Sequence, residues 1–419
     1  MKFRHGQAWI AVGLAVIGVL LGASAMDPGL PNGYWDHPQA MLGDAPHTWS
    51  KLEKNLRPEA CGQCHIEQFN AWKNSLHAHA YSSGMVGQFP AMGVVDGNAC
   101  LNCHAPLKVQ RYGNAADMNQ SLDLKLSHPE GFDRHADLSS KVLPLRHSGV
   151  SCAVCHVRGW QRFGPPPKTS GAVGHQQSAV HGGFTATRAF EQSQFCASCH
   201  QFPDSMAIHG KPLENTLNEW KQSKFASRGV TCQTCHMPDR RHEFRGIHDI
   251  NMVKKGLTFE LLQRHNSAVF VITSSWIGHA FPTYVTPEVV VEATAMDADG
   301  KALHRWQWEI VREVSYDDGW KELRDTRLMA GEHREFITDP LPKQTAKVRY
   351  RVRVIPDHFY KGVYQGLLAD SMVDDMTAKS GRSAAVRSAA KAHITHALER
   401  AQRDDYLLYE QTIPIVGDK

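Results

Sequence analysis

The sequence predicts an α+β multidomain chain, with a mainly α and loop segment first, then a small antiparallel β-sandwich, then a C-terminal helix. Three observations predict it. Every cysteine lies between Cys61 and Cys235, strand-like alternation takes over after about Gly256, and an alanine-rich helical period runs over 383–403. A length of 419 residues suits two or three domains. Hydrophobic content of 42% with negative mean hydropathy excludes a polytopic membrane protein. Charged content of 21% argues against wholesale disorder.

The ten cysteines form five copies of one pentapeptide: Cys61-Gly-Gln-Cys64-His65, Cys100-Leu-Asn-Cys103-His104, Cys152-Ala-Val-Cys155-His156, Cys196-Ala-Ser-Cys199-His200 and Cys232-Gln-Thr-Cys235-His236. Cys-x-x-Cys-His is the attachment signature of c-type haem. Two thiols at this spacing add across the two vinyl groups of one porphyrin, and the adjoining histidine is placed under the iron as proximal ligand. One copy would compete with a thioredoxin-like redox pair. Five copies with no cysteine left over exclude a disulfide or zinc framework, which has no need of a histidine after every second cysteine. The expected cofactor is therefore haem c, five groups, covalently attached.

At the N-terminus, Lys2 and Arg4 precede an apolar run from Ala8 to Leu21, and Ala23-Ser24-Ala25 is a small-x-small cleavage site. Residues 1–25 read as a signal peptide, which implies a periplasmic or otherwise exported protein. The competing reading is an uncleaved segment that associates with the membrane, since about eighteen apolar residues just span a bilayer. Loss of Lys2 and Arg4 takes the formal charge of +4 to about +2, and ten haem propionates take it to about −8. The basic sequence pI is therefore no sign of nucleic-acid binding. Many of the arginines are expected to face propionates.

Residues 26–55, rich in Pro, Gly and Asp, read as an extended lead-in. Residues 56–256 hold the haem motifs, whose first cysteines are 39, 52, 44 and 36 residues apart, too irregular for a repeat array. At this density the polypeptide has no ordinary core, and the porphyrins must supply buried apolar surface to short helices and loops. Gly164-Pro165-Pro166-Pro167 marks a stiff loop. Residues 257–372 read as the β-sandwich. Val289–Met296 is a β-branched run, and Ala302, Trp306, Trp308, Ile310 and Val314 alternate with Arg305, Gln307, Glu309 and Glu313. In 347–354, Val348, Tyr350, Val352 and Val354 point inward, with Lys347, Arg349, Arg351 and Arg353 outward. That basic stripe reads as a solvated face that blocks edge pairing, or else as a dock for an anionic partner. Residues 378–410 hold the C-terminal helix, with His393 and His396 facing solvent.

Function turns on the remaining histidines. A haem with two imidazoles is closed and suited to electron transfer, whereas one imidazole leaves a face open to a small molecule. The candidates for distal ligands are His77, His147, His181, His242, His248 and His279. His77 sits on a helix leaving the first motif, and His181 precedes Gly182-Gly183, where the backbone can approach a porphyrin. His242 and His248 follow the fifth motif, His279 stands at the entry to the β region, and His147 lies five residues before the third motif. The second motif is the candidate for an open haem, because Ala105-Pro106-Leu107 follows His104 and no motif histidine lies near.

The chain resembles the cytochrome c-554-like group of multihaem c-type cytochromes. The resemblance rests on Trp72-x-x-Ser75-x-His77-Ala-x-Ala80, Gly149-Val150-Ser151, Phe195, Gln201-Phe202, Glu219-Trp220-x-x-Ser223, Met237-Pro238 and the His242/Gly246/His248 cluster. It covers about 60–255, and more loosely Gly278-His279 and Pro282-Thr283. It implies closely packed, mostly bis-histidine haems, with His77 and the His242/His248 cluster as ligands. Some members leave one haem five-coordinate. Related ammonia-forming reductases use a Cys-x-x-Cys-Lys site, absent here, and hydroxylamine-oxidising enzymes carry more haem sites and a tyrosine crosslink. Both departures favour an electron carrier over an enzyme. The expected partners are a quinol-oxidising or dehydrogenase donor and a reductase, cytochrome or extracellular acceptor. The alternatives are an oxidoreductase acting on a small nitrogen or sulfur compound at one open haem, and a docking subunit of a cytochrome assembly.

Overall fold

The computed structural model describes residues 30, 34–35, 44–128, 131–132, 135, 143–168, 181–316, 320–369 and 383–416. The expected signal peptide lies outside the described residues. Among these residues no helix is long and apolar enough to cross a membrane. The chain mixes helices with antiparallel sheets.

The first half is built from short helices, including α1 (Ile66–Trp72), α2 (Ser83–Met92), α3 (Val94–His104), α4 (Ala115–Ser127) and α5 (Thr216–Lys221). Their apolar contacts are divided among small clusters, as expected of a segment with so many motif loops. The largest joins Tyr81, Val86, Phe89, Leu101, Met118 and Leu122. Trp49 of the lead-in packs with Leu107 and Val154 and stacks edge-on against Trp160 at 5.3 Å.

After α6 (Ile250–Gly256) come β1 (Leu257–Arg264), β2 (Ser267–Ser274), β3 (Glu288–Met296), β4 (Ala302–Tyr316), β5 (Trp320–Asp325), β6 (His333–Ile337) and β7 (Lys347–Ile355). Helices α7 (His358–Leu368) and α8 (Ala384–Arg403) follow, then β8 (Tyr406–Pro414). One sheet has the order β5-β4-β3-β7-β8 and the other β6-β2-β1, all pairs antiparallel. Their inner faces share one core, containing Phe270, Ile272, Val289, Val291, Ile310, Val348, Tyr350 and Val352. Each such side chain contributes about 1.5–3 kcal/mol by leaving water. The Tyr350 hydroxyl reaches from one sheet to the other, 2.9 Å from the Ala268 carbonyl.

The inward alternation of 347–354 is as the sequence implies, with Val348, Tyr350, Val352 and Val354 fully buried. Two outward arginines are neutralised within the sheet, Arg351 by Glu410 and Arg353 by Glu292, so the stripe is not a bare cationic dock. The end of the chain differs from expectation. The helix stops at Arg403, and the segment from Tyr406 continues as β8, extending the sheet along β7. Helix α8 also does not leave both its histidines in solvent. It lies across α2, where a Cβ on Gly87 would meet Ile394 and His393 within 3 Å. His393 is consequently fully buried with its Nε2 3.0 Å from the Leu122 carbonyl, and only His396 is exposed.

A buried ionic network joins this β region to the first half. Arg312 on β4 is fully buried and donates to Glu322 at 2.7 Å and to the carbonyls of Lys211 and Pro212. Lys211 pairs with Glu322 and Asp325, and Arg327 grips Asp325 through two bonds of 2.9 Å. These arginines serve internal carboxylates. Burial alone would raise the Asp325 carboxyl, but Arg327 and Lys211 hold it far below the usual carboxylate range, and Arg312 and Lys211 lower Glu322 likewise.

A carboxyl depressed in the folded state contributes stability above its unfolded pKa of about 4 and loses it as pH falls. The urea midpoint of the wild type should therefore drop between pH 6 and pH 3. Asp325→Asn should start lower at pH 6 and lose less over that range; equal slopes for the two proteins would contradict the role given to this network.

Candidate metal centres

The motif segments converge in space. The Cys61 thiol lies against Cys152, Cys103 against Cys199, and Cys196 against Cys232. The first and third motifs are thus neighbours, as are the second and fourth and the fourth and fifth. None of the ten cysteines is in a disulfide.

Four motif histidines each face a histidine from elsewhere in the chain. Ring centroids are 6.2 Å apart for His65 and His181, 6.1 Å for His200 and His77, 6.1 Å for His156 and His242, and 6.3 Å for His236 and His279. Two imidazoles sharing one ion, each bonded at about 2 Å, have ring centres roughly 6.3 Å apart once the distance from nitrogen to ring centre is added. All four pairs match that gap, so these residues fit an iron held between two imidazoles. Among the described residues no histidine ring faces His104 in this way.

Hydrogen bonds orient the rings. Nδ1 of His104 lies 3.0 Å from the Ala80 carbonyl, that of His156 2.8 Å from Phe163 O, and that of His236 2.6 Å from Arg245 O. His242 donates to Arg240 O at 2.9 Å and His279 to Ala280 O at 2.8 Å. A carbonyl can only accept, so the proton sits on Nδ1 and Nε2 keeps its lone pair for a metal. Burial, aided by neighbouring histidines, also keeps three of the imidazoles that face motif histidines uncharged: His77 is lowered to about 3, and His242 and His279 to about 4. His200 differs. Burial opposes its charge, yet Glu214 Oε1 at 3.0 Å from Nδ1 pulls it up to about 9.

The segments that carry these rings are tied by recurrent contacts. Trp72 Nε1 donates to the Val150 carbonyl at 2.8 Å, and Val150 N donates back to His77 O at 2.9 Å. Gly149, at φ +54°, lies so close that a Cβ would sit 2.6 Å from His77 O. The same device recurs at the fifth motif, where Trp220 Nε1 donates to Val230 O at 2.9 Å. In both cases the accepting valine stands two residues before the first cysteine of a motif. Glu219, beside Trp220, accepts from Ala280 N at 3.1 Å and Thr283 Oγ1 at 3.0 Å, and from buried Arg327 at 3.0 Å. It thereby fixes the backbone next to His279.

His147 and His248 are placed differently. His147 packs on Tyr81 at 5.1 Å, with a buried Nε2 that has no hydrogen-bond partner among the described residues. His248 directs Nε2 to Asp357 at 3.1 Å, with Asp404 close by. Neither faces a motif histidine, because the chain turns at Gly246 and carries His248 toward α7. The roles of Glu214 and Arg327 were not legible in sequence, since each contacts a partner brought from a distant segment.

Residues 57–249 match the family model of MtrC/MtrF-like outer membrane cytochromes, domains II/IV. Over those residues, which hold the five motifs, the chain is similar to multihaem c-type cytochromes. A penta-haem cytochrome c552 from Thermochromatium tepidum has a similar crystal structure, with a TM-score of 0.57 and 20% sequence identity, over 86% of this chain and 98% of that one. The search of curated proteins found no match.

Removing the Glu219 carboxylate leaves Arg327 paired with Asp325 alone and takes the acceptor from Ala280 N and Thr283 Oγ1, which costs about 1–3 kcal/mol. Glu219→Ala should lower the free energy of chemical unfolding by that order and weaken one low-spin ferric EPR signal. Unfolding indistinguishable from wild type would show that Glu219 does not hold the His279 segment.

Proposed function

We propose that this chain is an exported pentahaem electron carrier. Each Cys-x-x-Cys pair holds one haem, with His65, His104, His156, His200 and His236 as proximal ligands. On this reading residues 56–256 are the haem-bearing domain and 257–372 a β-sandwich domain that supports it. His181, His77, His242 and His279 are the distal ligands opposite His65, His200, His156 and His236. The observation that carries the reading is the set of four imidazole pairs, each at the separation that one shared iron needs. Bound haem supplies one-electron chemistry. The chain's residues hold each ring in one tautomer, close the axial positions to outside ligands and keep the motif segments adjacent. The partners are a quinol-oxidising or dehydrogenase donor and a reductase, cytochrome or extracellular acceptor.

One observation favours a second reading. His104 donates Nδ1 to Ala80 O as a ligand would, but no described histidine stands opposite. The second motif would then leave one axial position for a small nitrogen or sulfur compound, and the carrier would also be an oxidoreductase.

Haem content and the EPR spectrum of the air-oxidised protein test both. The expected result is five haems per chain, four low-spin ferric centres and a high-spin signal of about one-fifth of the iron. Five low-spin centres would remove the oxidoreductase reading, and fewer than four would overturn the ligand pairs. Nitrite, hydroxylamine and sulfite are then titrated against the high-spin signal.

A further inference from the structure

We propose that Glu214 tunes the haem at the fourth motif, giving it a lower reduction potential than the other bis-histidine haems by accepting the Nδ1–H of His200 with a carboxylate. The inference rests on the ligand pairs proposed above and goes beyond them, because it ranks the centres. Among the described residues the proposed iron ligands make six ring hydrogen bonds, and five end on neutral backbone carbonyls, those of His104, His156, His236, His242 and His279. Among the described residues, His200 is the one proposed iron ligand whose ring hydrogen bond ends on a charged side chain, at 3.0 Å. A carboxylate draws that proton toward itself and makes the imidazole more basic at Nε2. A more electron-rich axial ligand stabilises the ferric over the ferrous state, and second-shell hydrogen bonding is a recognised control of haem potential. The couple takes up one electron and moves no atom.

The structure keeps this contact in place. The Glu214 side chain is 16% exposed against 52% for His200, so the carboxylate is the shielded partner of the contact. Its backbone carbonyl accepts from Phe202 N at 2.9 Å, and the residue forms an antiparallel bridge with Tyr284. Two residues on, Thr216 and Thr283 share a hydroxyl contact of 2.8 Å. The Glu214 backbone is thus anchored to the segment that leads into β3, which fixes the point from which its carboxylate reaches His200. His77, which faces His200, has His104, His236 and His242 as its near neighbours. The tuned centre therefore stands where the second, third and fifth motifs meet, and its potential governs exchange among them.

The test is a potentiometric titration of the holoprotein with optical and EPR detection, beside the Glu214→Gln variant carrying five haems. One centre should shift toward reduction about tenfold, ~59 mV for a one-electron couple, with changed g values for one low-spin signal. Glu214→Asp, which keeps the charge, should recover part of the shift. No shift in a fully loaded Gln variant, or an equal shift of every centre, would overturn the proposal. If the variant loads fewer haems, the wild type decides: one low-spin signal with a narrower spread of g values supports tuning, and four alike refute it. Absence of low-spin pairs in the wild type itself would instead remove the ligand assignment.

Discussion

Two imidazoles serve one metal ion only if each stays neutral, keeps its proton on the far nitrogen and meets the other across a gap of little over 6 Å. Nearly every local feature of the first half answers one of these demands. Burial keeps His77, His242 and His279 uncharged. Backbone carbonyls at Ala80, Phe163, Arg240, Arg245 and Ala280 fix the tautomer. The gap itself depends on holding two distant segments of chain, which is where the tryptophan contacts enter. Trp72 and Trp220 each bind the carbonyl of a valine just before a motif. They thus set the place of one motif against a segment that belongs to another.

A helix-and-loop region with divided apolar clusters is poorly suited to hold such distances alone. The two sheets offer what it lacks, one continuous core of aliphatic and aromatic side chains. Rigidity passes from that core to the histidines through named contacts. Arg327 binds Glu219, which binds the backbone at Ala280 beside His279. The Glu214–Tyr284 bridge does the same for the carboxylate on His200. The β region therefore positions His279 and the carboxylate on His200 as well as packing beside them. The ionic network has a cost in desolvation that its hydrogen bonds must offset, and it specifies how the two parts meet.

The amino-acid sequence by itself determined the haem motifs, the class of cofactor and the β alternation, because each is a local pattern. Cys-x-x-Cys-His is complete within five residues, and the inward row of Val348, Tyr350, Val352 and Val354 needs only the period of a strand. Glu219 and the tryptophans were visible as motif letters without a reason attached. The tertiary structure decided which histidine faces which. His77 and His147 were both candidates in sequence, yet one faces His200 and the other packs on Tyr81. It also buried His393 through the close approach at Gly87, turned the chain after Arg403 into a strand, and brought Glu214 to His200. Pairing across a metal is a relation between segments far apart in the chain, and the physical quantity that decides it, a distance of a few ångströms, exists only once both segments have packed.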